Sequence, residues 1–177
     1  MKKLNDHIMY HYQNIWTKTF PHKRILKWQN NWLQNNYCKN CRYCCGKQDS
    51  NSKFFMPLLN NQLKNSEEYF YLENENTAYM DKRGCKSHSN IGCKISREKR
   101  PIACNIFPLV LANGQLYFYK ICPAILFTPL NELLNIAQKS KKFFNSFSKK
   151  DLQHISINLP ERIILDRYIP ANILIFK

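Results

Sequence analysis

Glycine is scarce in this chain, 4 among 177 residues, and acidic side chains are outnumbered, 12 Asp and Glu against 27 Lys and Arg. No glycine-rich loop is available to wrap a nucleotide phosphate, and no His-Glu-x-x-His pair is present. A Ser-His-Asp order is missing too, which leaves the common hydrolase chemistry without its residues. Nothing approaches the roughly 20 apolar residues of a membrane helix. The start, Met1-Lys2-Lys3-Leu4-Asn5-Asp6-His7, runs into polar and aromatic residues without the apolar stretch of a secretory signal. The expectation is a cytoplasmic protein with no membrane span. The formal charge of +15 suits an acidic partner or a polyanion. Abundant Lys, Asn and Ile beside little Gly is also what AT-rich codons produce, and charge alone establishes only an electrostatic footprint. A nucleic-acid partner is therefore not expected, and the protein partner is unknown.

What the chain does have is cysteine, 8 in all. The run Cys38-Lys39-Asn40-Cys41-Arg42-Tyr43-Cys44-Cys45 repeats the Cys-x-x-Cys step, which lets two thiolates converge on one ion while the intervening backbone turns N–H groups toward sulfur. Zinc sites and iron-sulfur clusters both use such spacing. The adjacent side chains of Cys44 and Cys45 diverge, so at least one of them reaches elsewhere, and its partners are expected in a second group, Cys85, Cys93, Cys104 and Cys122. In a reducing compartment clustered cysteines read as ligands or redox thiols before they read as staples; export would make disulfides the simplest reading. The ligand pool is thus all of these residues, and which of them share a site stays open.

Cys38-x-x-Cys41-x-x-Cys44 resembles the closely spaced ligands of a bacterial ferredoxin cluster, whose remote fourth ligand precedes a proline, as in Cys122-Pro123. A zinc ribbon fits less well, because Cys85 and Cys93 are separated by more than the two or so residues of a knuckle. The expected cofactor is an iron-sulfur cluster or zinc, with mononuclear iron or regulated thiols left open and His88 available in exchange for one cysteine. Basic residues crowd the ligands, from Lys39 and Arg42 through Lys82, Arg83 and Lys86 to Arg97 and Arg100. Cations near sulfur favour the thiolate and metal binding at neutral pH. Pro101 fixes the backbone beside Arg100, which is expected to hydrogen-bond a thiolate or a carbonyl of the metal loop.

Two separate motifs carry a family resemblance. The Cys-x-x-Cys-x-x-Cys-Cys run is similar to that of the YkgJ-like cysteine-cluster proteins, described as zinc- or iron-chelating. The second motif of that family is matched by Cys85, Gly92-Cys93, Arg100-Pro101, Cys104 and Phe107-Pro108, in that order. Arg42 stands where that family often has glycine, and Ile95-Ser96 where it often has tyrosine. The resemblance spans about Cys38 to Cys122 and implies a metal cofactor more firmly than a reaction. Flagellin lysine methylases contain a similar run, so protein modification is an alternative the resemblance implies; whether the chain is an enzyme stays open.

The expected fold is one α+β domain over 1–177, small, irregular and cysteine-rich, with a β-hairpin and a metal core surrounded by helices. Its parts are a helical arm (1–36), a metal-binding core (37–123) and a C-terminal helical segment (124–177). The arm reads as two helices broken at Phe20-Pro21, the second with Ile25, Trp28, Trp32 and Leu33 on one face and Trp28 and Trp32 shielding the metal. A short helix is expected from Pro57 to near Lys64, an irregular stretch or short strand over Glu68–Met80, and a loop over Cys85–Cys104. Asn113-Gly114 between apolar runs predicts a hairpin with a type I′ turn that returns Cys122 toward Cys104. Thr128-Pro129 predicts an N-cap and first helical residue before an apolar face of Leu130, Leu133, Leu134 and Ala137. Phe143, Phe144 and Phe147 are expected inward, with the neighbouring lysines solvated.

Overall fold

The structure is a computed structural model, and it describes residues 25–39, 44–48, 53–64, 66–90 and 92–176. Mixed helix and strand are distributed over several small sheets, with six helices among the described residues. No helix there is long and apolar enough to cross a membrane.

The first described element overturns the helix expected at Ile25–Leu33; the helix expected before Pro21 lies outside the described residues. Strands β1 (Leu26–Gln29) and β2 (Trp32–Asn35) form an antiparallel hairpin in which Trp28 faces Leu33 and Leu26 faces Asn35. Asn30 turns the chain at φ 34°, a left-handed conformation that asparagine tolerates better than most residues. The apolar residues fit either period in so short a window, and the Asn-Asn turn decides for strands. Leu26 and Leu33 enter the main core at 1% exposure each.

The helix expected from Pro57 to near Lys64 is reduced to a 3-10 turn at Asn60–Gln62, and Pro57 itself closes strand β3 (Phe54–Pro57). This strand pairs with β5 (Thr77–Met80), which pairs in turn with β4 (Tyr71–Asn74) after the short helix α1 (Ser66–Tyr69). Pro57 sits at the end of an edge strand, where a missing N–H is tolerated. Met56, Ala78 and Met80 alternate toward one face and, with Leu58, Phe70 and Ile95, make a small second core. The expected loop over Cys85–Cys104 contains the two-residue strands β6 (His88–Ser89) and β7 (Gly92–Cys93), a 3-10 turn at Arg97–Lys99 and helix α2 (Ile102–Ile106).

The Asn113-Gly114 hairpin is present as β8 (Leu109–Ala112) and β9 (Gln115–Tyr119), with positive φ at both turn residues, 49° and 76°. It does not stand alone: β10 (Tyr168–Leu174) joins as a third strand in the order β10-β9-β8, so the segment expected to be helical ends in a strand. Against this sheet lie α3 (Pro123–Leu126), α4 (Leu130–Phe144) and α5 (Lys149–Ile155), while α6 (Glu161–Arg167) leads into β10. Leu133, Ile136, Ala137, Ser140 and Phe144 form the buried stripe of α4, one face at helical period. Leu130 and Leu134, expected on that face, are each 48% exposed. Helix α4 begins at Leu130 with Pro129 at its N-cap, one residue later than expected, and Thr128 donates its hydroxyl back to the Ala124 carbonyl at 2.7 Å. Phe144 is fully buried, and Phe143 and Phe147 pack against the same core.

Gly114 supplies the prediction for this framework. A Cβ there would lie 2.3 Å from the Phe176 carbonyl oxygen, at φ +76°. The left-handed conformation alone costs an L-residue about 1–2 kcal/mol, and the clash displaces the end of the chain as well. Gly114→Ala should lower the urea midpoint by at least that equivalent; an unchanged midpoint would show that the contact with Phe176 does not hold the fold.

Candidate metal centre

The cysteines arrive by different routes. Cys38 lies in the 3-10 turn Asn36–Lys39 that follows β2. Cys44 and Cys45 sit in the short stretch 44–48, Cys85 precedes β6, Cys93 is in β7 opposite His88, Cys104 is on α2, and Cys122 precedes α3. Cys41 lies outside the described residues, as does Arg42. All seven described cysteines line one cavity of about 430 Å³. Among the described residues no three His, Cys, Asp or Glu side chains come close enough together to hold one ion.

The loop bearing Cys45 is seated by close backbone contact. Cys85 donates its N–H to the Cys45 carbonyl at 2.9 Å, and Gln48 donates to the Asp81 carbonyl at 3.1 Å. Gly84, at φ +82°, lets the strands of backbone meet, since a Cβ would fall 2.9 Å from the Gly46 carbonyl carbon. The two cysteine groups are therefore joined main chain to main chain. Helix α2 spans the two cores: Ile102 and Ile106 face the main one, while Ala103 and Cys104 pack against the second. The Cys104 thiol meets the Met56 sulfur at 3.5 Å. Cys122, 3% exposed, belongs to the main core and accepts a long contact of 3.9 Å from Asn35 Nδ2.

The thiols act on one another. Burial and then the neighbouring Cys85, Cys38 and Cys93 push the Cys45 thiol up to about 12. Cys104 is raised by burial first and next by Cys45, Cys85 and Cys93; Cys85 is raised chiefly by burial. Arg100 opposes the shift at all three.

Of the basic residues noted in the sequence, Arg97 and Arg100 line the cavity. Arg100 Nε donates to the Ile95 carbonyl at 2.9 Å, within the segment between Cys93 and Cys104. Arg83 instead stacks on Tyr71 at 3.8 Å and pairs with Asp81 at 2.7 Å, and Lys86 donates to the Glu67 carbonyl. Trp32 reaches the cavity and lies 4.5 Å from the Arg97 guanidinium. Trp28, expected there too, packs on Phe143 at 5.7 Å. His88 lines the cavity as well.

Sequence reasoning missed the clamp on the arginine turn. Asn105, 7% exposed, donates from Nδ2 to the carbonyls of Arg97 and Arg100 at 2.9 and 3.2 Å, and Gln62 Nε2 also donates to the Arg100 carbonyl. Their partners are backbone atoms, so no pattern of residue types signals them. The Asn30-Asn31 turn was the available signal for the hairpin that delivers Trp32.

The donor set fits a soft metal: sulfur atoms from both cysteine groups share one space with the arginines Arg97, Arg100 and Arg167, and thiolate is the ligand of choice for zinc and iron-sulfur centres. No family model, no curated protein and no solved structure matches the chain.

The turn leading to Cys85 titrates in a testable way. Arg83 hydrogen bonds, through its side chain first and its N–H second, hold the Asp81 carboxyl down at about 2, against ~3.9 for an unperturbed Asp. A lowered folded-state value stabilises above the unfolded one, and the contribution disappears as pH falls from about 4 toward 2. The Asp81 carboxyl carbon should titrate near the lower value by NMR, and Arg83→Gln should return it toward ~4; equal midpoints in both proteins would rule the pairing out.

Proposed function

We propose that this chain is a metal-binding cysteine-cluster protein, of the YkgJ-like kind its motifs resemble, that holds an iron-sulfur cluster for electron transfer or for a structural, partner-binding role. The observation that carries this reading is the convergence of both cysteine groups on one cavity. Cys38, Cys45, Cys85, Cys93 and Cys104 are the residues whose thiols and nearby charges influence one another, and with Cys44, Cys122 and Cys41 they form the pool that would hold the group. When bound, a cluster supplies reversible one-electron chemistry. The chain itself gathers sulfur atoms from both groups around one space and brings Arg97 and Arg100 beside them.

Anaerobic purification, metal and sulfide analysis, and an absorption spectrum with and without dithionite test the reading. Broad brown absorption that bleaches, with iron and sulfide in stoichiometric amounts, is the expected result. A colourless protein with stoichiometric zinc would move the assignment to a structural zinc site. Absence of either metal from protein prepared without chelator, and failure to take up either, would overturn it. Removal of the metal should also lower the thermal midpoint, because the 44–48 stretch and the Cys85–Cys93 segment contain little regular structure to hold them; a midpoint unchanged on complete removal would exclude a folding role.

A further inference from the structure

Among the basic groups around the sulfur cavity, Arg97 is distinctive in how it is held. Its guanidinium lies 4.5 Å from the Trp32 ring, and its backbone carbonyl is fixed by Asn105. Among the described residues it forms no ion pair with a carboxylate. The charges that act on it are Arg100 and the thiols Cys38, Cys93 and Cys104. An arginine half-withdrawn from water with no carboxylate opposite is costly unless negative charge is supplied by something else. Stacking on tryptophan offsets part of that cost and fixes the direction of the guanidinium.

We infer that Arg97, stacked on Trp32 inside the sulfur cavity, is the countercharge for a thiolate-bound metal, and that the β1–β2 hairpin positions it through Trp32. The inference rests on the metal-binding reading and adds to it a charge-balancing residue and the element that holds it. A divalent ion, or a cluster, held by four thiolates keeps net negative charge. Arg97 and Arg100 are carried on one turn, which Asn105 fixes to the helix that carries Cys104, so positive charge and sulfur move as one body. Trp32 comes from the other side, on the hairpin whose next residues lead into Cys38. The hairpin thus reaches the cavity twice, once through a ligand candidate and once through the ring that aims Arg97. Arg97 is a positioning and charge-balancing residue, with no contact to a reacting atom implied.

The test uses the full chain, reduced and freed of metal, with Co²⁺ and Zn²⁺ as probes. Affinity is read from the thiolate-to-cobalt absorption and from zinc competition with a chelator. Arg97→Gln should weaken binding about tenfold or more, the range found when groups supporting metal ligands are removed. Arg97→Lys, which keeps the charge, should recover most of the loss, and Lys99→Gln, exposed on the same turn, should bind as the wild type does. Trp32→Leu should weaken binding severalfold in the wild-type background and have no further effect in Arg97→Gln, which general destabilisation would not produce. Circular dichroism of each variant checks that it folds, and the lysine rescue and the non-additivity keep the inference falsifiable if Arg97→Gln is less stable. Wild-type binding with Arg97→Gln within twofold of it, or additive losses in the double variant, overturns this inference alone. A wild-type chain that binds neither metal overturns the metal reading and this inference together.

Discussion

Thiols gathered in one space away from water resist ionisation, and this is the constraint on which the candidate site turns. Seven described cysteines face a common cavity, and three of them, Cys45, Cys85 and Cys104, are raised by burial and by neighbouring thiols. The protein answers with positive charge. Arg97 and Arg100 are built into a short turn whose carbonyls are tied down by Asn105 and Gln62, and their guanidinium groups meet the Trp32 ring and the Ile95 carbonyl. A bound cation would complete the balance by stabilising the deprotonated sulfurs.

The packing explains how a chain with short, scattered strands can hold such a space open. Two hydrophobic clusters lie to either side, one under the β3-β5-β4 sheet and one around the β10-β9-β8 sheet. Helix α2 is shared between them, with apolar side chains on opposite faces, and Cys104 emerges on the face toward the smaller core. His154 on α5 adds a tie across the molecule, its Nε2 lying 3.0 Å from the Leu58 carbonyl beyond β3. The cavity is consequently bordered by elements whose positions are set by burial of Leu, Ile, Phe and Met side chains elsewhere.

The loop contacts carry the same logic at the backbone level. A stretch with no regular structure around Cys45 keeps its place by bonding the turn before Cys85, and Gly84 permits that approach where any side chain would collide. Main-chain geometry therefore brings the first and second cysteine groups close to one another.

By itself the sequence determined which residues could carry the chemistry and one supersecondary unit. Cysteine spacing names candidate ligands because short loops restrict where neighbouring sulfurs can point, and Asn113-Gly114 specifies its turn because few residues accept positive φ. The inward Phe144 and the solvated lysines before it were legible for the same local reason, a 3.6-residue period, although Leu130 and Leu134 were misplaced on the buried face. The β1–β2 hairpin was open to misreading, since a window of ten residues with Trp28, Trp32 and Leu33 fits a helix as well as strands, and only pairing with a partner strand resolves it. The third strand β10, the clamp of Asn105 on the arginine turn and the meeting of Trp32 with Arg97 belonged to the tertiary structure alone. Each joins atoms far apart in the chain, through backbone carbonyls or ring faces that leave no trace in residue spacing, and only the packing of two cores around one cavity brings them together.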